Sequence, residues 1–238
     1  MAALRPGYLR PMDRLAFDVA LLDIDGTLLD STYHHALAWS RAFAEVGNPV
    51  PTSRLHRLIG MGGDRIVPTV TDEDTAVRIG EEVRDRWKAA YDALIGDTRL
   101  MPGARELLDG LRQAGLEVVL ASSSIPEHAR HALELLGADE RTDAWTTSQD
   151  AEQSKPDPEL LDAALSRVEG RRAVMIGDAT WDVLAASRVD IPTIALLCGG
   201  FAEAELREAG AAVVHRDPAD LLAHLDRALA LAAQWDAE

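Results

Sequence analysis

Two aspartates two residues apart, Asp23 and Asp25, close a short and almost continuously apolar run that starts at Phe17. In an extended strand residues two apart point to the same side, so such a pair can divide one reaction. The first carboxylate can act as nucleophile. The second can give a proton to the leaving oxygen and later take one from water, help worth roughly 10²–10⁴ in rate. Crowded carboxylates also raise one another's pKa, which favours keeping one protonated as the acid. Three further polar clusters follow: Ser122-Ser123-Ser124, Lys155 in Ser154-Lys155-Pro156-Asp157-Pro158, and Asp178 with Asp182 in Gly177-Asp178-Ala179-Thr180-Trp181-Asp182. Together they offer a hard-cation site beside a phosphate site. Mg²⁺ is usually held by one or two carboxylates, waters and substrate phosphate, and Asp23 and Asp178 can supply the carboxylates. Lys155 can neutralise phosphoryl oxygens as a point charge. A serine hydroxyl and backbone amides at a strand end can hold the rest, with Ser122, nearest the strand, as the candidate.

These clusters need elements that bring them together. The run ending at Asp25 reads as a strand buried on both faces, as in the middle of a parallel sheet, and Gly26 breaks it. From about Ser31 to Gly96 apolar residues recur at helical spacing (Leu37, Trp39, Phe43 and Val46, then Val77, Val83, Trp87, Tyr91 and Leu94), with no convincing strand among them. Gly60-Met61-Gly62-Gly63 marks a loop between these helices. Beyond Met101 strands and helices alternate: helix 104–113, strand 116–121, a helix from Pro126 to Gly137 and a short strand around Trp145. Helix 159–168, strand 173–176, strand 193–197, helix 202–209, strand 211–214 and one last helix from Pro218 follow. Repeated strand–helix units imply right-handed crossovers and a parallel sheet covered on both faces. In such a sheet ligands bind beyond the carboxyl ends of the strands, where all four clusters fall. The fold class expected is α/β, a Rossmann-like core (12–30 and 97–238) with an inserted all-helical cap (31–96).

On these residues the chain resembles the haloacid dehalogenase superfamily, matching its four motifs in order over nearly the whole chain from about Phe17. Asp23-Ile24-Asp25-Gly26-Thr27 is similar to the first motif, with nucleophile and acid/base. Ser122 is similar to the hydroxyl of the second, Lys155 to the lysine of the third, and Asp178 and Asp182 to the acids of the fourth. The resemblance implies Mg²⁺ on Asp23, Asp178 and the backbone carbonyl of Asp25, with Asp182 beside it as a further ligand or supporting group. Thr27, Ser122, Ser123 and Lys155 would then surround the substrate phosphate. The helical insert is similar to the family's C1 cap, which closes over the site and selects substrate; hinges are expected near Leu28–Ser31 and Gly96–Met101. Within the superfamily the likeness is to phosphoglycolate phosphatases and β-phosphoglucomutases, with Cys198-Gly199-Gly200-Phe201 leaning to the former. The function implied is a Mg²⁺-dependent phosphatase acting on a small phosphorylated metabolite through an aspartyl-phosphate. A phosphosugar mutase is the alternative, weakened because its cap loop carries an arginine nearer its start than Arg65, which is here a candidate substrate contact. A dehalogenase is opposed by Asp25, and a silent phosphate-binding regulator by the complete set of catalytic side chains.

Other residues have plainer expected roles. Ser123 or Ser124 can cap the helix that begins at Pro126, and Asp157 suits a turn. His34 and His35 fall in a first helical turn where solvation is expected, and Trp39 and Trp87 suit the apolar faces of helices. Trp181 is expected to pack beneath the acidic motif. Cys198, the only cysteine, reads as a small buried apolar residue. Having one cysteine leaves no internal disulfide and makes a reducing cytoplasm the expected compartment. A formal net charge of −16 argues against nucleic acid and requires a local cationic pocket for an anionic substrate. That makes Lys155, one of only two lysines with Lys88, more telling. No run approaches the roughly 18 apolar residues of a membrane span. Met1 to Met12 lack the apolar stretch of a signal peptide and read as a loose tail, with Met12 a candidate start.

Overall fold

A computed structural model describes residues 16–236, so the expected tail at Met1–Met12 lies outside the described residues. Strand β1 (Val19–Leu22) is wholly buried. Its side chains alternate between two apolar layers, Val19 and Leu21 in one, Ala20 and Leu22 in the other. That two-sided burial is why the run reads as continuously hydrophobic.

Strand β2 (Leu29–Asp30) leads into four helices: α1 (Thr32–Glu45), α2 (Thr52–His56), α3 (Gly63–Val70) and α4 (Glu73–Asp92), after which β3 (Arg99–Leu100) returns the chain. The helices enclose their own core of Trp39, Phe43, Leu55, Ile66, Ile79 and Val83. The side chain of Asp72 caps α4 by accepting from the Thr75 amide at 2.8 Å. The insert meets the rest of the chain at an antiparallel ribbon in which Leu29 pairs with Leu100 and Asp30 with Arg99. Two residues per strand are too few to leave a periodic signal, which is why the sequence pattern shows only helices here.

The remaining elements alternate: α5 (Ala104–Gln113), β4 (Glu117–Ala121), α6 (Pro126–Leu136), α7 (Ala138–Arg141), β5 (Ala144–Thr146), α8 (Glu159–Leu165), β6 (Ala173–Gly177), α9 (Thr180–Ser187), β7 (Thr193–Leu196), α10 (Glu203–Glu208), β8 (Val213–His215), α11 (Pro218–Ala223) and α12 (Leu225–Ala232). The single last helix expected from Pro218 is two, because His224 leaves helical geometry at φ −127°. Six parallel strands form one sheet in the order β5-β4-β1-β6-β7-β8. Helices α5, α6, α11 and α12 pack on one face, α8 and α9 on the other. This is the Rossmann-like α/β core anticipated. The chain runs outward from β1 through β4 to β5, then crosses back to β6 and runs the other way. The strand order therefore reverses between β1 and β6, the kind of crevice in which open α/β sheets bind ligands. No helix among the described residues is long and apolar enough to cross a membrane.

Candidate active site

Asp23 follows the last residue of β1 and Asp178 the last residue of β6, so both stand at that reversal. Lys155 reaches them from the loop before α8. Its ammonium is fully buried and lies 2.5 Å from Asp23 Oδ1 and 2.8 Å from Asp182 Oδ1, while also donating to the Ala121 carbonyl at 3.0 Å. The second oxygen of Asp182 accepts from the Ala179 amide at 3.1 Å. Asp178 Oδ1 accepts from the Thr27 hydroxyl at 2.7 Å. Oxygens of Asp23, Asp178 and Asp182 all lie within 4.8 Å of one another.

Two of the three buried carboxylates thus share one ammonium, and the third, Asp178, is bound to a hydroxyl. Burial pushes the Asp23 carboxyl up to about 7, with Asp182 and Asp25 adding to the rise and Lys155 opposing it. Burial, with Asp182 and Asp23 adding to the rise and Thr27 and Lys155 opposing it, holds Asp178 well above the usual carboxylate range. Lys155 is raised despite burial, since Asp182 and Asp23 both favour its charged form. An all-oxygen set with uncompensated negative charge fits a hard divalent cation. The space around Asp178 is kept by glycines: a Cβ on Gly199 would fall 1.6 Å from Asp178 Oδ2, and one on Gly26 2.4 Å from it. Gly26 also holds φ +93°, which side chains rarely adopt.

Asp25 stands apart from this cluster in its partners. Oδ1 accepts from the Ser31 hydroxyl at 2.6 Å and meets His35 Nε2 at 3.2 Å, and Oδ2 accepts from the Ser124 hydroxyl at 2.6 Å. Burial raises its carboxyl, but His35 and the two hydroxyls outweigh burial and hold it well below the usual range. Burial, reinforced by crowding, therefore raises Asp23 and Asp178, whereas Asp25 is lowered, against the expectation from the sequence, because donors surround Asp25. A dianionic phosphate arriving beside it acts in the opposite sense.

His35 is the residue that sequence reasoning missed. Far from being solvated in its first turn, it is buried and stacks on Tyr91 at 3.8 Å. The available signal was its i+4 spacing from Ser31, which places both on one helical face. The serines also depart from expectation. Neither Ser123 nor Ser124 caps α6, whose N-cap is Ile125 with no side-chain bond; Ser124 is tied to Asp25 instead. Ser122 is fully buried and accepts from the Ser124 amide at 3.0 Å. Ser123 Oγ is buried, has no hydrogen-bond partner among the described residues and lines the cavity. Thr27 is buried against Asp178 rather than facing that cavity.

A cavity of about 370 Å³ lies above Asp23 and Asp25, bounded on the far side by the helical insert, with His35, Trp39, Arg84 and Trp87 in its wall. Arg65 is not in the wall. It donates to Gln153 Oε1 at 2.6 Å and approaches Asp157 at 3.8 Å, linking α3 to the loop that carries Lys155. Gly62 N donates to Ser154 Oγ at 2.9 Å along the same seam. Asp157 also accepts from the Glu159 amide at 3.2 Å, the turn role expected of it. Trp181 packs beside Ala179 and Val183 and also donates to the Arg57 carbonyl at 3.0 Å, so it docks the insert as well. Cys198 is half-buried, and burial pushes its thiol up, which leaves it a poor nucleophile.

Residues 17–190 match the model of the haloacid dehalogenase-like hydrolases. A validoxylamine A 7'-phosphate phosphatase of Streptomyces hygroscopicus subsp. limoneus is 34% identical over 79% of this chain and 89% of its own length. A phosphoglycolate phosphatase of Agrobacterium fabrum is 27% identical over 80% of this chain and 83% of its own. Among solved structures, a hydrolase from Pseudomonas syringae superposes with a TM-score of 0.83 at 36% identity, covering 88% of this chain and 98% of that one.

Proposed function

The chain belongs to the haloacid dehalogenase-like hydrolases and is a phosphoric monoester hydrolase, and from that premise we propose that it works with Mg²⁺ through a phosphorylated Asp23. The observation that carries the reading is the buried bridge of Lys155 between Asp23 and Asp182, beside Asp178, where the strand order reverses. Asp23 and Asp178 would hold the metal, with Asp182 behind them fixing Lys155. Bound Mg²⁺ supplies positive charge that lets an anionic phosphate approach a carboxylate.

The protein's own groups account for the rest. An oxygen of Asp23 attacks phosphorus as the ester P–O bond breaks; Asp25, which takes up a proton as the phosphate dianion binds beside it, passes that proton to the departing alkoxide. Asp25 then takes a proton from water as that water attacks the phosphorus on Asp23, which frees inorganic phosphate and restores the Asp23 carboxylate. Lys155 keeps Asp23 fixed in place and its charge partly neutralised. Ser31, Ser124 and His35 hold Asp25 in one orientation, so no reorganisation is needed at the moment of transfer. The unpartnered Ser123 hydroxyl is suited to a phosphoryl oxygen.

In this reading residues 31–96 form a cap over a core whose described part is 16–30 and 97–236, and the β2–β3 ribbon is the place about which the cap moves between the half-reactions. The substrate is a small phosphorylated metabolite, as the named relatives suggest. Phosphate release from p-nitrophenyl phosphate tests the proposal. Activity that needs Mg²⁺ and vanishes with a chelator and in Asp23→Asn is expected, whereas full activity in a folded Asp23→Asn protein would overturn it.

A further inference from the structure

We infer that the substrate is a phosphate ester carried on a polyhydroxylated ring with no second negative charge, a sugar or cyclitol phosphate rather than a short phosphorylated acid. The inference rests on the phosphatase reading and narrows it. Three features of the cavity lead to it.

The first is room. About 370 Å³ falls within the range of roughly 300–1,000 Å³ of pockets that enclose whole organic ligands, which leaves space beyond a phosphoryl group.

The second is the wall opposite the acids. Trp87 lies half-buried with its ring stacked on Trp39 at 4.9 Å and 15°, and on His35 at 5.8 Å and 23°. A six-membered polyol has C–H bonds on its faces and hydroxyls at its rim, so it can lay a face on an aromatic plane and keep its hydroxyls free. Trp87 Nε1 and Ser123 Oγ, on two sides of this cavity, are buried without a hydrogen-bond partner among the described residues. Buried polar atoms left unpaired are costly, and ring hydroxyls and phosphoryl oxygens would satisfy both.

The third is charge. Away from the floor the cavity is lined by the acids Asp64, Asp85 and Glu152 and by the cations Arg84 and Lys88. Lys88 is already paired with Asp92 at 3.0 Å, and Arg84 has no ion-pair partner among the described residues. Asp64 accepts from the Ser154 amide at 3.2 Å and approaches Arg65 at 3.9 Å, so a substrate carboxylate would face Asp85 and Glu152, unpaired among the described residues, with one unpaired guanidinium to receive it. A neutral diol suits the same lining, because Arg84 can donate to one hydroxyl and the acids around the cavity can accept from others.

The test compares glucose 6-phosphate and inositol 1-phosphate with phosphoglycolate. We expect kcat/KM for the ring esters to exceed that for phosphoglycolate by about 100-fold. In Trp87→Ala that ratio falls at least tenfold, through KM for the ring esters. Calorimetry on Asp23→Asn gives a second readout that needs no turnover, with ring esters binding at least tenfold more tightly than phosphoglycolate. Equal or better use of phosphoglycolate would overturn the ring assignment and leave the phosphatase reading standing. Ring esters bound but never hydrolysed by the wild type would overturn the phosphatase reading and leave the ring site standing. A folded Trp87→Ala protein that loses all three substrates in proportion would make Trp87 a packing residue and overturn the inference.

Discussion

On the floor of the cavity charged side chains are buried and bound to one another; on its roof aromatic rings stack and the charged side chains reach solvent. Lys155, Asp23 and Asp182 are within hydrogen-bond distance in a space with no accessible surface to spare. Arg84 and Asp85, by contrast, project from an exposed face of α4 beside the half-buried Trp87. The floor stands at the ends of central strands that two helical layers hold rigid. The roof stands on four helices joined to the core by a two-residue ribbon and a few polar links, among them Arg65 to Gln153 and His128 to Asp92. The contrast teaches a division of labour. A reaction at phosphorus needs charges fixed before the substrate arrives, while discrimination among substrates needs a surface that can differ between relatives without disturbing those charges.

Damage to the floor should therefore be severe and indifferent to substrate. Lys155→Met leaves the Asp23 and Asp182 carboxylates buried without their partner, and breaking such a pair costs about 3–5 kcal/mol. We expect a correspondingly lower urea midpoint and loss of activity towards every ester; an unchanged midpoint would show that the bridge contributes nothing to the fold. A milder change on the same side is Gly199→Ala, whose added Cβ would collide with Asp178 Oδ2. Displacing a group that supports a metal ligand typically costs about 10–100-fold in metal affinity. The Mg²⁺ concentration for half-maximal activity should rise by that factor, and an unaltered Mg²⁺ titration would count against Asp178 as a ligand.

The smallest effect lies at the seam between the two regions. His128 of α6 is buried against Trp87 and Tyr91, and its Nε2 meets Asp92 Oδ1 at 2.8 Å. Burial lowers its pKa below the ordinary 6.5, with the positive charges of His35 and Lys88 acting in the same sense and Asp92 opposing. The folded protein therefore binds fewer protons here than the unfolded chain does. The stability tied to neutral His128 is present above pH 6.5 and drains as pH falls below it. In His128→Gln the fall of melting temperature between pH 7 and pH 5 should be shallower than in the wild type. Identical slopes would show that the seam does not respond to this histidine.

The same contrast explains what could be read from the residues alone. Asp23, Lys155, Asp178 and Asp182 are brought together as the alternation of strands and helices suggests, because strand ends in a parallel sheet share one edge whatever the loops do. Most core elements were legible for the same reason, within a few residues at their ends, but α9 (Thr180–Ser187), hidden behind the acidic motif, and the single-turn α7 were not. His35 was not, since its bond to Asp25 depends on how α1 leaves the ribbon, and its i+4 spacing from Ser31 gives a shared helical face but not the tertiary partner. Ser124 reads as a helix cap and Arg65 as a substrate contact for want of the same information: each side chain turns towards a partner distant in sequence. Trp39 and Trp87 follow the helical period that core residues follow, so their pattern does not distinguish packing from lining a cavity.

The central claim is that Asp23 itself carries the phosphoryl group. Turnover quenched in acid with Mg²⁺ and substrate present, then reduced with borohydride, converts an acyl-phosphate to the alcohol and leaves homoserine in the chain. Peptide mapping should find homoserine at position 23 and nowhere else, with none when the chelator is present. Homoserine at position 25, or phosphate release with no residue reduced, would contradict the account.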